Sequence, residues 1–95
     1  MTFEQAAVLL REGKRIARMR WHGPTKFIYL VGESKIPWDS LRNEAHKQIA
    51  STPGTPDQIV RINSHIDMYE LHGTITVGWM PTHEDMLADD WEVAE

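Results

Sequence analysis

Trp21 follows Arg18 and Arg20 within four residues, and that grouping joins two kinds of grip on a nucleotide. An indole offers a flat polarizable face on which a nucleobase stacks, and a guanidinium pairs bidentately with phosphate. Four tryptophans and two tyrosines are many for 95 residues, and Trp21, Trp79 and Trp91 all fall at predicted strand ends, where sheets border clefts. The competing reading for each tryptophan is core packing, since aromatic side chains dominate cores by area. The neighbouring arginines single out Trp21.

His65 and Asp67 lie two apart on a predicted strand and project from one face, a spacing compatible with two ligands of a metal ion. A catalytic zinc needs three protein ligands, and no third stands at a recognisable spacing, so hydrogen bonding is the preferred role for Asp67. Nucleophile elbows, phosphate-binding Walker loops, His-Glu-x-x-His and dinucleotide glycine fingerprints are absent from the sequence. Asp89 and Asp90 are adjacent, point in different directions in an extended segment, and make a poor acid and base pair. Neither catalytic residues, nor a metal site, nor a cofactor is expected. Thr82 precedes Asp85 by three residues, the pattern of a helix cap whose free amides either attract phosphate or simply start the helix.

The elements that must hold these residues are short. Phe3, Ala6, Ala7 and Leu10 recur at helical spacing behind a Thr2 and Gln5 capping signal, which predicts a helix over about 3–12 ended by Gly13. Alternation predicts a strand over 15–21 with one basic face, then a turn at His22-Gly23-Pro24. Lys26 to Val31 is apolar on both faces, as in a strand covered on both sides, one cover being another subunit. Trp38, Leu41, Ala45 and Ile49 share a helical face, and residues 51–56 read as a loop. Residues 59–70 alternate as one strand, and His72-Gly73 turns into a strand over 74–79. A brief helix after Thr82 and a last strand at Trp91-Glu92-Val93 complete an α+β chain. Its sheet is small and mainly antiparallel, with an N-terminal helix and one or two further short helices. A two-residue turn at His72-Gly73 would put Trp79 and Asp67 on opposite faces, and a longer turn would shift the register.

The chain is read as one domain, 1–95, with a variable helix and loop insertion at 32–58. A chain this short buries only about 60 to 65% of its unfolded surface, and without cysteine it has no disulfide or thiolate staple, so oligomerisation is the expected remedy. No run approaches the roughly 20 apolar residues that cross a bilayer, and no secretion signal opens the chain, which predicts a cytoplasmic protein. The net charge of −4 argues against binding DNA or RNA polymers. That average hides Arg11, Lys14, Arg15, Arg18, Arg20 and Lys26 in the first third against Glu84, Asp85, Asp89, Asp90, Glu92 and Glu95 at the other end. Either the two ends neutralise each other across a contact, or the basic end forms a confined site for a small phosphate-bearing ligand.

Met1-Thr2-Phe3-Glu4-Gln5-Ala6, Gly13 to Arg18 with Trp21-His22-Gly23, Phe27 to Val31, His65-Ile66-Asp67-Met68, Gly73-Thr74-Ile75, and Gly78-Trp79 leading to Asp85 through Val93 stand in an informative order. In that order and spacing they resemble the second type of Thoeris anti-defence protein, over about residues 1–31 and 65–93. The resemblance implies a phage-encoded sponge that acts in the cytoplasm of the infected bacterium. Such a sponge is a homotetramer that holds cyclic ADP-ribose isomers, and in some members cyclic di- or trinucleotides, without cleaving them. Carried onto this sequence, it implies Trp21 for stacking, Arg18 for phosphate contact, and Asp67, Trp79, Thr82 and Asp85 as pocket residues. Thr82-His83-Glu84-Asp85 departs from the Ser-Gln-Thr-Asp usual there, and residues 32–64 match loosely. Two other readings stand beside the sponge: a protein-interaction or structural module of a phage particle, and a metal-dependent nucleotide hydrolase using His65 and Asp67.

Overall fold

The computed structural model describes residues 1–21, 25–52 and 59–94. Within them the chain is α+β and divides into two compact units, Met1–Val31 with His65–Glu95, and Gly32–Ser64. The turn expected at His22-Gly23-Pro24 and the part of the expected loop at Pro53 to Pro56 lie outside the described residues.

In the first unit, α1 (Phe3–Arg11) starts where the sequence places it. Thr2 Oγ1 accepts from the Gln5 amide at 3.3 Å while Gln5 Oε1 accepts from the Thr2 amide at 2.9 Å, so two otherwise unpaired donors are satisfied reciprocally. It ends at Gly13, whose φ of 88° lets the Gly13 and Lys14 amides fold back onto the Leu10 and Leu9 carbonyls. The buried face, Ala6 and Leu10, rests on a five-stranded antiparallel sheet. Its strands are β1 (Ile16–Arg18), β2 (Lys26–Val31), β5 (His65–Glu70), β6 (Thr74–Val77) and β7 (Trp91–Val93), in the order β6-β5-β2-β1-β7. Register puts Ile16 opposite Ile28 and Ile28 opposite Met68, so three neighbouring strands present one continuous apolar row to the helix. Trp91 on β7, only 1% exposed and opposite Arg18, packs into the same core. The helix α3 (His83–Leu87) is capped by Thr82 and Asp85, again as the spacing predicts.

The second unit holds β3 (Ser34–Pro37) paired with β4 (Ile59–Ile62), a 3-10 turn at Trp38–Ser40 and the helix α2 (Asn43–Ala50). The Trp38 ring stacks on His46 at 5.0 Å, and Arg61 Nε pairs with Glu33 at 3.1 Å. None of its described residues is buried.

Three expectations need correction. The strand over 15–21 stops at Arg18 and gives way to a 3-10 turn, Met19–Trp21. Asp90 causes the bend: its carbonyl accepts from the Met19 amide at 2.9 Å and its Oδ2 from the Arg20 amide at 3.0 Å. On the face expected to be basic, Arg18 is buried beside Ile16, while Arg20 is exposed. The single strand over 59–70 is two strands in different sheets, β4 and β5, broken at Asn63-Ser64, and the missing partner of β4 is β3, which alternation did not mark. Finally, the β5–β6 turn has three residues, Leu71 to Gly73, with Glu70 opposite Thr74. Among the described residues, no helix is long and apolar enough to cross a membrane.

Candidate functional site

Three tryptophans meet at one end of the first unit. Trp21, closing the 3-10 turn, stands edge-on to Trp79 at 6.2 Å and to Trp91 at 5.6 Å, and Trp79 meets Trp91 at 6.4 Å, all near perpendicular. Such edge-to-face contacts match the positive rim of one ring to the negative face of the next and fix orientation as well as burial. Trp91 is anchored from below, its indole N–H donating to the Asp85 carbonyl at 2.9 Å. Trp21 and Trp79 are half-buried. The Trp21 carbonyl accepts from Thr25 Oγ1 at 2.7 Å, and the Lys26 ammonium lies 5.0 Å from the Trp21 ring centroid.

Arg18 lies under this cluster, 7% exposed, its guanidinium carbon 6.0 Å from the Trp91 ring centroid. Its Nε donates to Asp90 Oδ1 and its NH1 to Asp85 Oδ1, both at 2.8 Å, and Glu84 approaches to 3.6 Å. Arg20 pairs with Glu84 in turn. The hydrogen bond from Arg18 holds the Asp90 carboxyl below the usual carboxylate range. Burial pushes Asp85 upward, but the Thr82 amide and Arg18 outweigh it, and its carboxyl also ends below the usual range. The bond to Asp90 keeps Arg18 fully charged despite the desolvation that burial imposes. Both oxygens of Asp85 are used, Oδ2 accepting from the Thr82 amide at 2.9 Å.

An open cleft of about 520 Å³ runs beside this network, lined by Arg18, Glu84, Leu87, Ala88, Asp89 and Asp90. One guanidinium against three carboxylates leaves its wall negative. Thus the sequence-named Arg18, Trp21, Trp79, Thr82 and Asp85 converge at one end of the fold, but Arg18 and Asp85 meet each other there. Thr82 is exposed, and its hydroxyl oxygen accepts from the Asp85 amide at 3.1 Å.

Asp67 belongs elsewhere. It follows Ile66 and precedes Met68, both packed in the core, so it projects from the other face of β5, opposite Tyr29 and Val77. It is nonetheless only 7% exposed. Its Oδ1 accepts from the Gly78 amide at 3.2 Å and lies 3.4 Å from His65 Nε2. Gly78 has φ 75°, and the following amide, Trp79 N–H, donates to the Ile66 carbonyl at 2.7 Å, one step out of the β5–β6 register. This is a glycine bulge, which turns Trp79 toward the core face while Asp67 ties down the amide that the bulge releases. Both branches of the register question therefore hold: the turn is longer, and Trp79 and Asp67 occupy opposite faces. Among the described residues, no group of three or more His, Asp or Glu is placed to hold a metal ion.

Sequence reasoning missed Asp90, set aside as half of a poor catalytic pair, and the place of Lys26 beside Trp21, Lys26 being counted in the basic end and as the start of a strand. Nothing local marks Asp90, and the place of Lys26 at the start of the strand does not by itself show that its ammonium lies over Trp21.

The Tad2-like family, described as the Thoeris anti-defense 2-like domain, matches residues 1–94. The chain belongs to that family. No curated protein matches it. The Tad2-like match spans both compact units, including the segment 32–64 that the scattered motifs covered loosely. Membership assigns the chain a role against Thoeris defence.

Proposed function

We propose that this Tad2-like protein is a sponge: a homotetramer that captures a cyclic ADP-ribose isomer between its subunits in the cytoplasm of the infected bacterium and holds it without cleaving it. The family match over residues 1–94 carries the reading. The braced indole of Trp21 supports it, because Trp79 and Trp91 pack against it at near right angles while leaving it half-buried, and an indole face is a platform on which a base can stack. In this reading Trp21 and Trp79 contact the base, the exposed Thr82 hydroxyl donates to the ligand, and Arg18 and Asp85 keep the rim of the pocket rigid. Asp67 acts through the Gly78 bulge that sets Trp79. Sequestration needs affinity alone: each 1.4 kcal/mol is about tenfold in dissociation constant, and a signal held below its receptor's threshold is silenced by mass action.

Native mass spectrometry with a panel of cyclic ADP-ribose isomers and cyclic oligonucleotides tests oligomer, ligand and stoichiometry together. The expected result is a tetramer that takes up a cyclic ADP-ribose isomer, recovered intact after denaturation. A hydrolysed product would overturn the sponge in favour of an enzyme. Trp21→Ala should weaken binding about 5- to 150-fold, the loss of one stacking platform. Unchanged anti-defence activity in that variant, with the oligomer intact, would favour a protein-interaction module. The exposed Leu71, Ile75, Val77 and Met80 around β6 are the observation behind that second reading.

A further inference from the structure

Three cations stand near Trp21, and two of them are neutralised within the fold. Arg18 is held by Asp85 and Asp90, and Arg20 by Glu84. The third is Lys26. Its ammonium lies over the Trp21 ring, 5.0 Å from the centroid, and among the described residues no carboxylate comes within ion-pair reach of it. The carboxylate opposite it on the ladder, Glu70, instead lies 3.5 Å from His72 Nε2. The position is half-buried, on the first residue of β2, so the backbone is fixed while the four-carbon stem keeps its freedom.

We infer that Lys26 supplies the phosphate contact of the Trp21 site and guards the indole until a ligand arrives. The inference rests on the sponge reading and goes beyond it by giving Lys26 the phosphate contact that the resemblance implied for Arg18. The physical reason is availability. The Arg18 guanidinium already donates to two carboxylates beside a negative cleft, and a phosphate entering there meets Glu84, Asp89 and Asp90. Among the described residues, the partner of the Lys26 ammonium is the quadrupole of the indole, a weak attraction. A base stacking on that ring face displaces the ammonium from the ring. A compact, strongly hydrated charge on a flexible stem then pairs readily with a phosphate of the same nucleotide. Base and phosphate are thus read by one tryptophan and one lysine, with the cation–π contact exchanged for a charge-assisted hydrogen bond. The ligand class is a nucleotide whose phosphates fold back toward its base, as in a cyclised nucleoside diphosphate.

The test is isothermal titration of the wild type, Lys26→Gln and Lys26→Arg with cyclic ADP-ribose isomers at low and high salt, with thermal melts to establish folding. Lys26→Gln should bind about 10- to 100-fold more weakly and lose most of the salt dependence, since a charged hydrogen bond is removed. Lys26→Arg should stay within several-fold of the wild type. Equal affinity and salt dependence in wild type and Lys26→Gln overturn the role of Lys26 and leave the sponge standing. Equal losses in the Gln and Arg variants also overturn it, because they show that the stem's packing on Trp21 matters and the charge does not. If the wild type binds no isomer, the sponge reading falls and this inference with it.

Discussion

Arg18 is caught between two carboxylates that lie 67 and 72 residues further along the chain. Removing it leaves Asp85 charged and buried without its opposite charge, so Arg18→Ala should cost about 3–5 kcal/mol in urea unfolding. A conservative loss would show that the site relaxes and that the network does not hold the rim. The same pairing sets an acid dependence. Asp85 and Asp90 both titrate below their ordinary range near pH 4, so their stabilising contribution is complete above that pH and disappears as pH falls through their folded values. Asp90→Asn should therefore be less stable than the wild type at pH 6, with the gap closing toward pH 3, as followed by denaturant midpoints. At this scale the sequence was half legible. Thr2 and Thr82 were readable as caps because their partners sit three residues away. Arg18 was readable as a cation but not as a buried one, since nothing local reveals partners that arrive only when β7 pairs with β1.

Elements were legible where one period persisted and misleading where the partner changed. The pattern over 59–70 keeps its phase through one lapse, Ser64, yet β4 and β5 serve separate sheets, because a period of two reports which way side chains point and not which strand lies alongside. The 15–21 pattern failed for another reason: Asp90 satisfies the Met19 and Arg20 amides and pulls the chain out of the ladder. Gly78 is where a single residue decides an element. No heavy atom lies within 4 Å of a Cβ added there, so Gly78→Ala meets no clash and tests backbone conformation alone. Its φ of 75° predicts a loss of about 1–2 kcal/mol and a changed near-ultraviolet tryptophan signal, as Trp79 leaves its place against Trp21 and Trp91. An unaltered spectrum with unaltered stability would show that the bulge does not position Trp79.

At the scale of the molecule, every buried residue among those described belongs to the first unit, from Ala6 and Leu10 to Met68 and Trp91. The sequence pointed to this division only through a change of pattern near residue 32, because a half-buried module has too few apolar positions to announce its own core. Val31 and His65, which flank the second unit, are register partners at the open end of the β2–β5 ladder. The chain therefore leaves and re-enters the sheet at the spacing of an ordinary hairpin. Replacing residues 32–64 by Asn-Gly, a pair that favours the tight hairpin turn, should leave a protein that melts cooperatively and keeps the near-ultraviolet signature of Trp21, Trp79 and Trp91. A broad, non-cooperative melt would show that the second unit is needed for the first to fold. The Val31 and His65 junction thus works as a cassette port. A segment of different length or sequence could be joined there without moving either end of the ladder, because Val31 and His65 already stand side by side.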